Sequence, residues 1–533
     1  MRILIITALA CILPVLACGC GRIPAPVIRQ DTAETTLQEQ LPPVPEDRAS
    51  SLAMSASQSG TEYVMQSGTA IDLGSGRLGM DAAAGLIWAW WQFAIPANEY
   101  LTEFSFSLDQ QAGETYIAVA NHAAGRWDIS GGFSGTQAVS LDDAVHRSAL
   151  DNCHVAVLVP AGSSFAVNSI ELHTDYRGWL VTEVIDDVQF DSSPSLAEID
   201  GRPAIVHGDF TLQTTIYSIS NTAEVVSDGN WQSYLLDNLT AAGVHELQVV
   251  DGRPAVFYKD IAGNSLRMAS SPLVDGRDGE SWTAVKIADA PISVTPRYME
   301  VLGKPVVVFA NAAGIALARS STAGGLDAGD WSSTQIHSGP SFSFSAAMIA
   351  GRPALAFRDF NSNQCQYVIS STDDGASAAD WQNLVQLTDS NESGLAIRLL
   401  GAGGRPAVSY LDLASDNYVW LRSETATGES VNDWQSAVQL PGSFGGIQDV
   451  IDALYLDGEL LLAMNIDAGS NPAVLRSADP AGADGSWAAE RVHPVNFGSV
   501  QQMDMAVIAG RPCIAYLDYD NKVLYCAMYY GVE

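Results

Sequence analysis

Apolar residues along this chain fall into two strand-like patterns. Between about Thr61 and Asp175 they alternate with polar ones, as in Thr102-Glu103-Phe104-Ser105-Phe106-Ser107-Leu108, the period-2 signature of a half-buried strand. Strands are predicted over Leu101 to Leu108, Thr115 to Ala120, Val155 to Val159 and Phe165 to His173, with Gly, Asn and Pro between them. Many short strands in so short a stretch predict a β-sandwich, jelly-roll-like, over residues 61–175. From Trp179 onward the pattern changes to nearly unbroken apolar runs: Ala255-Val256-Phe257-Tyr258, Val306-Val307-Val308-Phe309, Ala354-Leu355-Ala356-Phe357. Strands covered on both faces read this way, as they do when sheets stack radially.

Those runs recur at a period of roughly 50 residues, which signals a repeat architecture. Seven tryptophans (Trp179, Trp231, Trp282, Trp331, Trp381, Trp434, Trp487) each precede a hairpin glycine (Gly201, Gly252, Gly303, Gly351, Gly404, Gly458, Gly510). The x-Gly pair supplies the positive φ of a two-residue turn, and proline opens the next strand where it costs no ladder bond. The first unit divides into strand a (Ser195 to Ile199), strand b (Pro203 to His207), strand c (Thr214 to Ser220) and a strand d opened by Trp231. Seven such units predict an all-β, seven-bladed β-propeller over residues 176–533. The repeat opens with a lone d strand, Trp179 to Ile185, and closes on a c strand, Lys522 to Tyr529. The N-terminal d strand is therefore expected to complete the last blade and close the ring.

The first twenty residues read as an export signal: Arg2, then an apolar run from Ile3 to Leu16 too short to span a bilayer. It ends in Val15-Leu16-Ala17-Cys18-Gly19-Cys20, which resembles a bacterial lipoprotein signal. That resemblance implies a lipidated Cys18, with Cys20 as the alternative, and a plain cleaved signal is the other reading. Residues 21–60, rich in Pro, Gln, Glu, Ser and Thr, are expected to form a disordered tether holding the folded part roughly 35 Å from its anchor.

Sixty-one acids against 26 bases give a formal charge of −35, which would repel nucleic acid and anionic lipid. Contact with a membrane is expected only through the lipid anchor, and the protein is expected to act as a monomer. Cys153, Cys365, Cys513 and Cys526 fall in the folded part and make no disulfide framework or zinc spacing. Cys513 and Cys526 lie symmetrically about the turn near Tyr519-Asp520, so they can face each other as a disulfide or remain two reduced, buried thiols.

Between strands c and d stand pieces such as Ser227-Asp228-Gly229-Asn230-Trp231 and Ser371-Thr372-Asp373-Asp374-Gly375 ahead of Trp381. They resemble a degenerate Asp-box of sialidase-type propellers, a folding turn remote from catalysis, with uneven spacing and only a partial copy at Arg422-Ser423-Glu424. A sialidase would further imply three arginines gripping a carboxylate, a Tyr-Glu nucleophile pair and an acid/base aspartate, and this sequence does not place that set. Arg22-Ile23-Pro24 spells the family's opening motif, but in the tether. Arg202, Arg253, Arg352, Arg405 and Arg511 recur beside the a–b turn, as architecture does.

The b–c corner carries an acid eight residues after most hairpin glycines: Asp209, Asp260, Asp359, Asp412 and Asp518, with Asn311 in the third blade and Asp467 one residue late in the sixth. By propeller convention this corner opens on the ligand-binding face. A ring of acids there can collect sugar hydroxyls, or each can cap its own turn as an Asx-turn, and repetition favours the turn. Beside them, Lys259 and Arg358 can meet an anionic group or a neighbouring acid, and His207, Tyr258, Tyr410 and Tyr516 can stack on a ligand. Trp88, Trp90 and Trp91 either fill the sandwich core or stack on sugar, with core favoured. No Asp-x-Asp-x-Asp-Gly loop, Gly-x-Ser-x-Gly elbow, Walker loop, dinucleotide fingerprint or His-Glu-x-x-His is present, so no metal or cofactor is expected. The reading that follows is an exported, lipid-anchored binding protein for a glycan or protein at the cell envelope. A glycoside hydrolase or polysaccharide lyase, and a structural scaffold for envelope proteins, are the alternatives.

Overall fold

The computed structural model describes residues 37–38, 40–45, 57–96, 99–186, 194–209, 214–236, 241–289, 291, 294–388, 393–412, 415, 417–441, 452–466, 471–493 and 500–531. Cys18, Cys20, Arg22 to Pro24 and Asp467 lie outside them. The chain divides into two compact units, Met1–Asp175 and Tyr176–Glu533.

The first unit is the expected sandwich. A five-stranded and a six-stranded antiparallel sheet pack face to face. The strand Ile87–Ala94 shows how the pattern works, because alternate residues serve opposite faces. Trp91 and Phe93 enter the core between the sheets with Phe104, Phe106 and Phe165. Trp88 and Trp90 lie on the other face, beside Trp127. They are buried, as expected, but their cover comes from the segment read as tether. Leu37 and Leu41 pack onto them. Trp88 Nε1 donates to the Gln40 carbonyl at 3.2 Å and Trp127 Nε1 to that of Pro42 at 2.8 Å. The folded unit thus includes residues 37–38 and 40–45, and the boundary at residue 60 is corrected.

The second unit is a propeller of seven four-stranded antiparallel sheets. The first has strands Ser195–Ile199, Arg202–Asp209, Thr214–Ser220 and Trp231–Leu236, within two residues of the boundaries expected. Both residues of each a–b turn have positive φ, for example Asp200 at 51° and Gly201 at 70°. That is a type I′ turn, whose twist matches the strands it joins. Blades four and five keep only a vestige of strand d, Val385–Gln386 and Val438–Gln439. The ring closes as expected: Trp179–Ile185 pairs with Val523–Tyr529, with Trp179 opposite Tyr529 and Val181 opposite Ala527.

Apolar side chains from adjacent blades interdigitate, as where Tyr258 and Val256 of the second blade meet Tyr217 and Val206 of the first. Cys513 and Cys526 stand on neighbouring strands of the closing sheet as buried thiols with sulfurs 3.1 Å apart.

Candidate functional site

The residues singled out at the b–c corner do not converge on a cleft. Tyr258, Tyr410 and Tyr516 are buried in the packing between blades and cannot stack on a ligand from there. His207 is fully buried as well, and desolvation lowers its pKa to about 4. Three of the acids cap their own turns. Asp518 accepts from the N–H groups of Asp520 and Asn521 at 3.1 and 3.0 Å, Asp359 from that of Asn361 at 3.0 Å, and Asp260 from that of Gly263 at 3.1 Å. Asp412 holds the Ser415 hydroxyl at 2.7 Å, and Asp209 is 5% exposed at the end of its strand. Lys259 is half-buried. Among the described residues Arg358 pairs with no acid: it donates to Asn363 Oδ1 at 3.1 Å and lies over the Phe360 ring at 4.6 Å. Repetition in sequence was the correct guide to a role in the fold.

The residues that do converge sit on strand a, six positions before each hairpin glycine: Ser195, Glu246, Arg297, Ser345, Arg398, Asp452 and Asp504. Strand a is the innermost strand of each sheet, so this position lines the propeller axis, where a cavity of about 450 Å³ lies. Unlike the corner acids, its identity changes from blade to blade. The sequence signal was a charged or hydroxyl residue at a fixed offset before each hairpin glycine, and the recurrence of the glycines alone passes over it.

These side chains bridge six of the seven seams between blades. Ser195 Oγ accepts from the N–H of Leu247 at 2.9 Å, Ser345 Oγ from that of Leu399 at 3.0 Å, Asp452 from that of Met505 at 2.8 Å, and Asp504 from that of Leu196 at 2.6 Å. Two further seams carry ion pairs, Arg297–Glu246 at 3.2 Å and Arg398–Asp452 at 3.1 Å.

Electrostatics couples the ring. Desolvation, then the neighbouring Asp452 carboxylate, pushes the Asp504 carboxyl well above the usual carboxylate range, and the two carboxyls share a hydrogen bond. Desolvation likewise raises Glu246 against the pull of Arg297, and burial lowers Arg398, with Arg297 adding to the effect. Three carboxyls, Glu246, Asp452 and Asp504, thus face two guanidiniums, Arg297 and Arg398, around the axis. Both oxygens of Asp452 are engaged, one by Arg398 and its own strand, the other by Met505. Glu246 is likewise held by Arg297 and Gln248. Arg297 Nε, by contrast, has no acceptor among the described residues. Among those residues no group of three His, Cys, Asp or Glu is placed to hold a metal ion.

No protein-family model and no curated protein matches this chain. Solved structures do. One described as NanB plus Optactamide is matched over 87% of this chain and 98% of its own, at 10% identity and a TM-score of 0.35. A thermostable family-43 glycoside hydrolase is matched over 44% and 86%, at 11% identity and 0.29. Trypanosoma rangeli sialidase is matched over 67% of this chain and 56% of its own, at 10% identity and 0.33. With every score below 0.5, the fold rests on this chain's own strand pairing and register.

Proposed function

We propose that this is an exported, lipid-anchored binding protein of the cell envelope that takes a neutral glycan into the propeller channel. The observation that carries the reading is the ring of charged and hydroxyl side chains around a 450 Å³ cavity on the propeller axis. That volume falls within the range of small-ligand sites. Carboxylates, guanidiniums and hydroxyls share this ring, a mixed polar lining that suits a polyhydroxylated ligand. A net charge of −35 disfavours polyanions at long range. The c–d turns are read as degenerate Asp-boxes, elements of folding rather than of recognition.

One observation favours catalysis as the second reading: the raised Asp504 carboxyl beside Asp452 has the character of an acid–base pair. Against it, the two share a hydrogen bond, closer than the separation of about 5 Å or more that brackets a glycosidic bond.

The test is a glycan array probed with the mature chain alongside fluorogenic glycosides. Binding without turnover, weakened at least ten-fold by Arg297→Ala, is the expected result. Turnover abolished by Asp504→Asn would replace the binding reading with the hydrolase. Silence in both assays would contradict a glycan ligand. For the anchor, a Cys18→Ala, Cys20→Ala variant is expected to be exported in soluble form, and continued membrane fractionation would count against lipidation.

A further inference from the structure

Cys153 lies in the sandwich core and Cys365 in the packing between the fourth and fifth blades. Cys513 and Cys526 are placed differently. They stand on strand b (Arg511–Asp518) and strand c (Val523–Tyr529) of the closing sheet, with sulfurs 3.1 Å apart. In register they are diagonal neighbours, Cys513 opposite Met528 and Cys526 opposite Ala515. Both side chains enter one cluster, with Leu196 and Ile205 of the first blade and Val184 of the closing strand. Even carbon atoms sit best at about 3.5–4.0 Å, so these sulfurs are already inside ordinary nonbonded contact. A disulfide needs about 2.05 Å, a further approach of only about 1 Å.

The order of folding decides when that approach can be used. The two cysteines are 13 positions apart, on one hairpin. The strand that completes their sheet comes from far away: Thr182 stands opposite Cys526 and donates from Oγ1 to its carbonyl at 3.3 Å, across 344 positions. Closing a short loop costs less chain entropy than closing a long one, so the hairpin forms ahead of the ring. Once the ring is closed, Cys513 is 0% and Cys526 1% exposed, covered by the first blade and the closing strand. Burial, with Cys513 alongside, then holds the Cys526 thiol well above the ordinary thiol range, so little thiolate is left to react.

We propose that Cys513 and Cys526 are joined by a disulfide made on the open hairpin, before the N-terminal strand closes the ring over it. The oxidant is a second disulfide, of the class of oxidised glutathione or an exported dithiol–disulfide oxidoreductase. One cysteine thiolate attacks a sulfur of that disulfide, giving a mixed disulfide and releasing one thiolate. The other cysteine thiolate attacks the protein sulfur of the mixed disulfide, forming the Cys513–Cys526 bond and releasing the second thiolate. The two cysteine protons end on the two released thiols, so one disulfide is reduced as the other forms. The bond staples the strand edge on which the N-terminal strand docks. It rests on the export reading only for where the oxidant is met.

The test uses the mature Cys18→Ala, Cys20→Ala chain, whose four remaining cysteines are Cys153, Cys365, Cys513 and Cys526. It is reduced in guanidinium, refolded with oxidised and reduced glutathione, and alkylated under denaturing conditions without reductant. Alkylation at Cys153 and Cys365 alone is expected, with the Cys513 and Cys526 peptides recovered as one linked species. The refolded, oxidised chain should unfold at higher guanidinium concentration than the same chain kept reduced. Glutathione added to the reduced chain after folding should form the bond at least about ten-fold more slowly. Alkylation at all four cysteines after oxidative refolding, or linkage through Cys153 or Cys365, would overturn the pairing. Equal rates of oxidation before and after folding would overturn its timing, and equal guanidinium midpoints its role as a staple. Because the assay supplies the oxidant, its failure tells against the pair and leaves the export reading standing.

Discussion

Asp504, on the innermost strand of the last blade, accepts a hydrogen bond from the backbone N–H of Leu196 in the first at 2.6 Å, across 308 positions of sequence. The same carboxyl faces Asp452 and is pushed up by desolvation. Its folded pKa lies above the unfolded value of about 3.9, so the folded state binds more protons between the two. Its stabilising contribution is present at low pH and lost as pH rises through the folded pKa. Asp504→Asn, which cannot ionise, should therefore flatten the decline in stability with rising pH. Asp504→Ala should cost about 1–3 kcal/mol at all pH values by leaving the Leu196 N–H without an acceptor. Denaturant melts across pH distinguish the two, and an unchanged slope in Asp504→Asn would remove the carboxyl from the account.

The buried histidines act in the opposite direction. Desolvation lowers His207 to about 4 and His245 to about 3, with His207 adding to the effect on His245. Unfolded imidazoles titrate near 6.5, so stability present above that pH is lost as pH falls toward the folded values. Each histidine should remove about 1.4 kcal/mol per pH unit in that window. His207→Gln should lower the acid slope of guanidinium melts by one proton.

The a–b turns predict a stabilising change. Leu302 holds φ at 53° in its turn and is 68% exposed. A side chain branched beyond Cβ pays for that left-handed backbone, whereas asparagine tolerates it. Leu302→Asn should raise stability by up to about 1 kcal/mol in a chemical melt, while the same change at a residue with negative φ should not.

Legibility in the sequence followed repetition. Seven tryptophans and seven hairpin glycines, each doing the same work, made the blades and their closure readable. The same logic misdirected the search for a site, since Asp260, Asp359 and Asp518 each cap the corner they stand in. Glu246, Arg297, Arg398, Asp452 and Asp504 share a position only once strand a is registered blade by blade. Their meaning comes from closure of the ring, which brings together residues far apart in the chain. The burial of Trp88 and Trp90 was readable from alternation, but the identity of their cover was not, because Leu37 and Leu41 sit in a segment whose composition reads as disorder.

That cover is testable. Replacing Leu37 and Leu41 with serine removes most of the apolar surface holding residues 37–45 on the sandwich, about 1.5–3 kcal/mol per leucine. Trp88, Trp90 and Trp127 should then emit at longer wavelength and be quenched more readily by acrylamide, with the melting transition of the propeller unchanged. Emission identical to that of the parent would show that the segment does not shield them.

Closure of the ring underlies the channel, and a covalent probe reads it directly. Val181 and Ala527 stand opposite each other across the closing pair of strands. A Val181→Cys, Ala527→Cys variant, made with Cys513 and Cys526 replaced by serine, should form an intramolecular disulfide under mild oxidation. The cross-linked peptides should be recovered by mass spectrometry, and the melting temperature should rise. Two free thiols, or only cross-links between molecules, would contradict a seven-bladed ring sealed by its N-terminal strand.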